Sequence, residues 1–520
     1  MERRKFLKYA SATLATPFLF NGQWMNAMAN DSVIEGFGAY NPDRKLVLIQ
    51  LNGGNDGLNM VIPISQYDNL ANARGNILVQ KSQILKLTDE TGLHPSMPEL
   101  TNLYKEGKVQ IIQGVGYPNP NLSHFRSKDI LMSASDSNIN INSGWMGRLF
   151  SNKFPGYPAG YPSTSKPHPI ALTIGSTSSA ICQSELANYS SVLTNLSSNY
   201  INSSGNTNFP QTPFGNELRF LTNMMEQTES YLSVIKAAAA KGKTLSALYP
   251  VAGQNSLADQ LKLVANLIAG GLQTQIYVVS LGGWDTHSLQ VTSLTDKLTG
   301  AQPTLFSKVS KAIAAFEDDL KLMGKADEVI GFVFTEFGRR IKSNDSLGTD
   351  HGTTWPAIVF GSKVNPGIIG QNPVIAAVVG KSDNLALQND FRSIYSGFYK
   401  QWFNLEDQEI LQILGKSFPE IQVIANSTAI SNQSVNATEK IKLWPNPIDN
   451  NTQLSFESDG NLSQIMIYSM NGQLIENHLR QKFPPGRAQI SLQLTHLAKG
   501  TYLLVLFGNK NRETVKFVVR

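Results

Sequence analysis

Between residues 46 and 360 the apolar positions follow two rhythms. Nearly unbroken apolar runs occur at Leu46-Val47-Leu48-Ile49-Gln50-Leu51, Ile276-Tyr277-Val278-Val279-Ser280-Leu281, Val329-Ile330-Gly331-Phe332-Val333-Phe334 and Ala357-Ile358-Val359-Phe360, and each gives way to a glycine-containing turn. Runs of this length, rich in β-branched and aromatic residues, predict strands buried on both faces. Between them, residues 217–241, 257–267 and 305–323 carry apolar side chains at three- and four-residue intervals, which predicts helices. Doubly buried strands separated by helices predict an α/β domain with a mainly parallel sheet and helices on both faces. In such sheets ligands gather beyond the carboxyl ends of the strands. Here those ends run into Asn52-Gly53-Gly54-Asn55-Asp56-Gly57, Gly282-Gly283-Trp284 and Thr335-Glu336-Phe337-Gly338.

Two stretches lack a pattern: 151–169, rich in Pro, Gly and Tyr, and 194–213, rich in Asn and Ser. Both are expected to be loops near the entrance of a site. Residues 426–440 shift to Asn, Ser, Thr and Ala, the composition of a linker closing a domain that spans 44–425. Residues 441–520 then hold short alternating segments at 453–457, 464–469, 489–494, 502–507 and 514–519, with Asn471-Gly472 as a two-residue hairpin turn. That pattern predicts a small antiparallel β-sandwich.

Composition narrows the picture in three ways. With 520 residues, 41% of them hydrophobic, the chain can bury two cores. Its 44 basic and 39 acidic residues leave a formal charge of +5 with no dense basic run beyond the first residues, which argues against nucleic acid as a partner. The single cysteine, Cys182, excludes an intrachain disulfide and a cysteine-built zinc site, and is expected to be a buried small hydrophobe. At the amino end, Arg3-Arg4, an apolar stretch over 9–20 and Ala27-Met28-Ala29 read as a signal peptide spanning 1–29. The start resembles a twin-arginine signal, and a general secretory signal is the alternative. Its apolar stretch is too short to span a bilayer, and no later segment reaches about 18 uninterrupted apolar residues. The expectation is an exported protein without a transmembrane segment.

Of seven histidines, His287 and His351 both stand at predicted strand ends beside an aspartate, in Asp285-Thr286-His287 and Asp350-His351. Carboxylate and imidazole are ligands for a divalent ion, and Asp56 in the first glycine-rich turn supplies a further carboxylate. Together they make the inventory of a one- or two-metal hydrolytic centre, with zinc, manganese, magnesium and calcium all open. Asp56 reads equally as a stabiliser of its own turn. Glu336 reads as a carboxylate holding Arg339 or the neighbouring loop. Helical periodicity begins just after Ser123, so this serine is either a plain N-cap or a nucleophile favoured by the helix dipole. Arg126 either holds an anionic oxygen bidentately or is solvated. His124 is a ligand, a proton donor or a packed supporting group.

At these residues two resemblances appear. Leu443-Trp444-Pro445-Asn446-Pro447, Ile467-Tyr468-Ser469-Met470-Asn471-Gly472, Leu497-Ala498-Lys499-Gly500-Thr501-Tyr502 and the final Val-rich strand resemble the sorting domain of type IX secretion substrates. This implies the type IX machinery as a partner and an extracellular or cell-surface destination via the periplasm. Leu51-Asn52-Gly53-Gly54-Asn55-Asp56-Gly57-Leu58-Asn59, Leu93-His94-Pro95, Gly114-Val115-Gly116-Tyr117-Pro118, Ser123-His124-Phe125, Gly144-Trp145, Gly283-Trp284-Asp285-Thr286-His287, Glu336-Phe337-Gly338-Arg339 and Thr349-Asp350-His351-Gly352 resemble family 1501 of the domains of unknown function. That family is grouped with the alkaline phosphatase and sulfatase superfamily, in which a metal-bound serine or threonine, or a formylglycine, attacks a phosphate or sulfate ester. The resemblance implies that Asp56, Ser123, Asp350 and His351 stand for one metal site and Asp285 and His287 for a second. The chain departs from the superfamily in the close spacing of Asp285 and His287 and in having no histidine between His351 and the sorting domain. The superfamily aspartate aligns more naturally with Asn52 than with Asp56, and Cys182 lacks the surroundings of a formylglycine precursor. The leading expectation is a secreted phosphate or sulfate ester hydrolase; the alternative is a non-catalytic surface or binding protein that keeps the fold.

Overall fold

The computed structural model describes residues 17–20, 23–26, 40–185, 187–194, 209–425, 441–450, 452–458, 462–469, 474–507 and 512–519. Arg3-Arg4, Ala27-Met28-Ala29, the linker 426–440, the Asn471-Gly472 turn and most of 194–213 lie outside them. Near the amino end, Pro17–Phe20 and Gln23–Asn26 pair antiparallel. The chain divides into two compact units, Met1–Ala429 and Ile430–Arg520.

The first unit is organised by a nine-stranded sheet. Numbered in chain order, its strands are β1 Lys45–Leu51, β2 Val109–Gly116, β3 Ala171–Ile174, β4 Ser190–Leu193, β5 Ile276–Leu281, β6 Val329–Thr335, β7 Trp355–Phe360, β8 Gly367–Ile369 and β9 Asn389–Asp390. Across the sheet they run β8-β2-β7-β6-β1-β5-β3-β4, with β9 beside β2. Every pairing is parallel except those of β7, which is antiparallel to both β6 and β2. Gly361 therefore lies at the far edge of the sheet from the glycine turns after β1, β5 and β6, unlike the strand-end turn expected for it.

Successive side chains of one strand feed two different cores. Leu46, Leu48, Ile276, Val278, Ile330 and Phe332 pack on one face, and Val47, Ile49, Tyr277, Val279, Val329 and Val333 on the other. A period of two with both faces covered explains why these strands read as continuous apolar runs. Helices cover both faces. Named in chain order, those that matter here are α1 Tyr67–Arg74, α2 Pro98–Lys105, α3 His124–Ser133, α4 Trp145–Lys153, α5 Pro213–Lys241, α6 Ser256–Ala269, α7 Ala301–Leu322 and α8 Phe391–Gly397. The expected helix over 217–241 starts earlier, at Pro213 in its first turn, with the Thr212 hydroxyl accepting from Gly215 N. The mainly parallel sheet with helices on both faces is thus observed, while β2, β3, β4 and the short β8 and β9 went unread. In β2, Gln110 and Gln113 interrupt the apolar run; both are buried, their amides donating to Gln422 O and Asn372 Oδ1. The strands β3 and β4 have four residues each, too few to show a period.

The 151–169 stretch lies away from the entrance expected for it. It leads into the amino end of β3, where Gln275 N bonds Ile170 O and Thr274 bonds Pro169 O, at the edge opposite the glycine turns. Its Phe154, Tyr157 and Tyr161 pack into the core beside the buried Cys182.

The second unit has two antiparallel sheets around one core. Ile441–Trp444, Gln453–Ser458 and Gly486–Ser491 form one; Leu474–Lys482, Leu462–Ser469, Gly500–Phe507 and Arg512–Val519 form the other. Leu454 and Phe456 from the first meet Ile465, Ile467, Leu504 and Phe517 from the second, giving the predicted sandwich. The unread strand Leu474–Lys482 is an edge strand carrying Glu476, Asn477, His478, Arg480, Gln481 and Lys482; polar edges discourage pairing with other chains but leave little apolar signal. Among the described residues no helix is long and apolar enough to cross a membrane.

One buried carboxyl of the first unit is held protonated. Glu317 of α7 is 2% exposed, and burial pushes its pKa up to about 8, with Oε1 lacking a hydrogen-bond partner. The folded chain therefore keeps this proton over a range in which the unfolded chain, near pH 4.5, has lost it. This contribution to stability is largest below that value and falls as pH rises towards 8. Glu317→Gln is expected to raise the unfolding free energy by roughly 1–3 kcal/mol near neutral pH and to flatten its decline between acid and mildly alkaline solution. Urea unfolding across that range checks this; an unchanged slope in the variant contradicts it.

Candidate metal centre

Leu51, Leu281 and Thr335, the last residues of β1, β5 and β6, lie side by side in register. The three chains leaving these strands consequently start from one level at the carboxyl edge of the sheet. Gly53 and Gly54 have φ of +130° and +82°, and a Cβ on either would stand 2.3 Å from Asp285 N or the Phe337 ring, respectively. Only glycine permits this conformation at this approach.

Arg339 holds the turns together. Its guanidinium is buried and donates to Gly54 O (2.7 Å), Thr349 O (2.7 Å), Trp284 O (3.0 Å), Gly53 O and Asp285 Oδ1 (2.8 Å). Glu336, also fully buried, accepts from Gly53 N at 2.9 Å, from the Thr335 hydroxyl at 3.2 Å and from His124 Nδ1 at 2.9 Å, with Lys128 Nζ 3.8 Å away. It holds the loop, as expected, and also a histidine that the sequence did not connect to it.

Three imidazoles and one carboxylate converge here. Asp285 Oδ1 lies 3.1 Å from His287 Nε2 and 3.2 Å from His351 Nε2, and its Oδ2 lies 3.5 Å from His124 Nε2. His124, Asp285 and His351 offer ligand atoms all within 4.8 Å of one another, the one such group among the described residues. His287 adjoins it, its Nε2 2.9 Å from His351 Nε2. Each ring's outer nitrogen meets an acceptor: His124 Nδ1 faces Glu336, His351 Nδ1 donates to Leu122 O at 2.8 Å, and His287 Nδ1 faces Asp350 Oδ1 at 3.3 Å. Carbonyl and carboxylate oxygens only accept, so the Nδ1 atoms carry the protons and the Nε2 lone pairs point inward.

This arrangement fits a divalent cation. Burial lowers the pKa of His351 below the ordinary histidine value, outweighing the Leu122 carbonyl and the Asp285 carboxylate, which favours a bare Nε2. Partial burial raises the pKa of Asp285, but the hydrogen bond and the positive charge of Arg339 outweigh it and hold the carboxyl below its ordinary value. Lone pairs this close repel one another unless a positive charge lies between them. Ligands about 2.0–2.1 Å from a tetrahedral ion stand about 3.3 Å apart, comparable with the distances seen here. The outer acceptors are of the kind that orient ligating histidines in metal sites.

The remaining expected residues divide. Asp350 is half-exposed and holds His287 and Asn344 by Oδ1, outside the group of three. Ser123 is the exposed N-cap of α3 with no side-chain cap bond; its neighbours in sequence are His124 and Leu122, both tied to the centre. Asp56, expected as a ligand, is fully buried, and its oxygens accept from Arg74 NH1 at 2.7 Å and from Gln290 Nε2 at 2.7 Å. Those lone pairs are committed within the protein. Arg126 donates from its NH2 to the carbonyls of Asp136, Ser137 and Ile139. The sequence did not single out Phe337, whose ring lies 4.9 Å from His124 and 4.4 Å from His351, or the Leu122 carbonyl. The signal for Glu336 and Arg339 was their position directly after a buried strand.

Two aspartates should therefore behave oppositely. Asp56→Ala strands the buried Arg74 charge and is expected to cost about 3–5 kcal/mol. Asp285→Asn, which keeps an oxygen to accept from the buried Arg339, should cost less, about 1–2 kcal/mol, while abolishing retention of a divalent metal. Urea unfolding paired with equilibrium dialysis against zinc distinguishes them; reversed outcomes would refute this assignment.

Among curated proteins none matches the chain. Among solved structures it is similar to a protein in the alkaline phosphatase superfamily from Vibrio parahaemolyticus, 11% identical, covering 91% of this chain and 90% of that one, with a TM-score of 0.33. It is also similar to the sulfatase PsFucS1 from Pseudoalteromonas sp., 10% identical, covering 86% and 83%, with a TM-score of 0.30. The likeness to PorZ, a surface component of the type IX secretion system of Porphyromonas gingivalis, is 14% identical and spans 15% of this chain and 11% of that one, with a TM-score of 0.13. Likeness at these levels identifies no substrate. A family model described as a secretion system C-terminal sorting domain matches residues 442–520, which indicates secretion by the type IX system. The model described as a protein of unknown function, DUF1501, matches residues 43–413, so the His124, Asp285 and His351 group belongs to the matched region and the chain is a member of that family.

Proposed function

We propose that this chain is an exported hydrolase of phosphate or sulfate esters that uses one divalent cation and the hydroxyl of Ser123. The reading is supported above all by three inward-facing imidazole Nε2 atoms and the Asp285 carboxylate converging beside the start of α3. His124, Asp285 and His351 would hold the cation, and His287 would complete the set. A bound cation would lower the pKa of a nearby hydroxyl and neutralise charge on the ester oxygens. Ser123 stands in sequence between Leu122 and His124, both bonded into this cluster, and its hydroxyl is not spent on capping α3. The free amides and dipole at the start of this ten-residue helix favour an anionic group in front of the serine. The sorting domain would take the enzyme through the periplasm to the cell surface or beyond, where phosphorylated or sulfated polymers are the fitting substrate class.

A second reading, a surface or binding protein that keeps the fold and one cation without turnover, is supported by one observation. With Asp56 committed to Arg74, the described residues hold one ligand group where the superfamily resemblance implied two.

Ser123→Ala decides between them. On the hydrolase reading the variant keeps its metal and loses turnover of chromogenic phosphate and sulfate esters by about 1,000-fold or more. An active variant excludes Ser123 as nucleophile. Absence of turnover in the native chain with zinc, manganese, magnesium or calcium supplied favours the binding reading.

A further inference from the structure

Behind the ligand cluster lies a buried polar network that sequence patterning did not connect to it. Gln290 is 0% exposed, and its side-chain amide makes every hydrogen bond available to it. Its Nε2 donates to Asp56 Oδ2 at 2.7 Å and to Gln302 Oε1, and its Oε1 accepts from the Thr286 hydroxyl at 3.1 Å and the Thr349 hydroxyl at 3.0 Å. Chemistry fixes this orientation: a carboxylate only accepts, so the NH2 group must face Asp56 and the carbonyl must face the threonines. Asp56 is anchored in turn by Arg74, whose Nε donates to Ile341 O at 2.8 Å and whose NH2 bonds Arg340 O. Asn59 closes the network, its Nδ2 donating to Gln302 Oε1 at 3.1 Å.

Thr286 lies between Asp285 and His287, and Thr349 immediately precedes Asp350 and His351. One carbonyl oxygen thus receives a hydroxyl from each of the two Asp/His turns, and Thr349 N bonds Thr286 O at 3.2 Å between them. The turns come from opposite sides of β6, one after β5 and the other before β7. Among the described residues, Gln290 is the side chain that ties both turns to the Asp56–Arg74 pair from the protein interior.

We infer that Gln290 is a positioning residue for the metal centre, fixing the separation of the Asp285–His287 and Asp350–His351 turns through Thr286 and Thr349, with Asp56 and Arg74 as its anchor. This rests on the metal-binding part of the proposed function. It gives Asp56 a role at the centre that acts through the protein interior, without contact with the ion. Outer partners of metal ligands commonly change affinity about 10- to 100-fold when removed.

The test is zinc affinity of the full chain, measured by competition with a chromogenic chelator and supported by the visible spectrum of the cobalt-substituted protein. Gln290→Met, close in volume, is expected to weaken zinc binding about 10- to 100-fold and to alter the cobalt spectrum. Because it leaves buried partners unsatisfied and can compromise folding, Thr286→Val and Thr349→Val provide milder variants, each removing one of the two hydroxyls from Gln290 Oε1 and expected to weaken binding about 3- to 10-fold with only a small fall in melting temperature. Thr286→Ser and Thr349→Ser, which keep the hydroxyl, should restore native affinity. Folded valine variants with native affinity and spectrum would overturn the inference while leaving the metal centre standing. A native chain that binds neither ion would overturn both.

Discussion

Arg339 donates to carbonyl oxygens of three separate turns and to the one carboxylate that all three clustered histidines approach. A guanidinium has five donors in a rigid plane and remains charged when buried, so it can collect this many acceptors without a compensating protonation change. Removing it would leave several buried carbonyls unpaired at once. The register of β1, β5 and β6 brings the turns to one level, and Arg339 converts that proximity into a fixed arrangement. Asp285 stays ionised beside three imidazoles largely because this cation is part of its surroundings.

The histidines show a division of labour between their two ring nitrogens. The outer nitrogens face a buried carboxylate, a backbone carbonyl and a half-exposed carboxylate; the inner nitrogens face one another and Asp285. Without a cation, the inner face is a concentration of lone pairs, electrostatically unfavourable by itself. Structures retain such a feature where the surroundings over-determine it, and here Glu336, Leu122 and Phe337 supply that constraint from behind. Asp285, His287 and Asp350 are about half exposed, so the cluster faces solvent on one side.

Asp56 shows how a chemically suggestive residue can be placed where it serves the site only indirectly. A buried carboxylate must be paired, and Arg74 with Gln290 satisfies it completely enough to remove it from the ligand pool. The same pairing turns it into an anchor, since an ion pair held by backbone carbonyls of Arg340 and Ile341 is a firm point from which to suspend two loops. Export is handled elsewhere in the chain: the second unit has its own core and its own polar edge strand.

The amino-acid sequence by itself determined the class of fold, because doubly buried strands and amphipathic helices impose periods that local patterning reveals. It also determined the C-terminal antiparallel sandwich, and it set Asp285, His287 and His351 after or beside buried strands, where the structure brings them together. Where polarity disguised burial, as at Gln110 and Gln113 in β2, or where an exposed edge removed the need for apolar residues, as at Leu474–Lys482, the pattern failed. Only tertiary structure decided that His124 and Glu336 form one unit, that β7 runs against its neighbours and that Asp56 turns inward to Arg74. Hydrogen-bond and ion pairing depend on distances between segments far apart in the chain, 212 residues for His124 and Glu336 and 286 for Gly53 and Arg339, whereas periodicity is written within a few residues of chain.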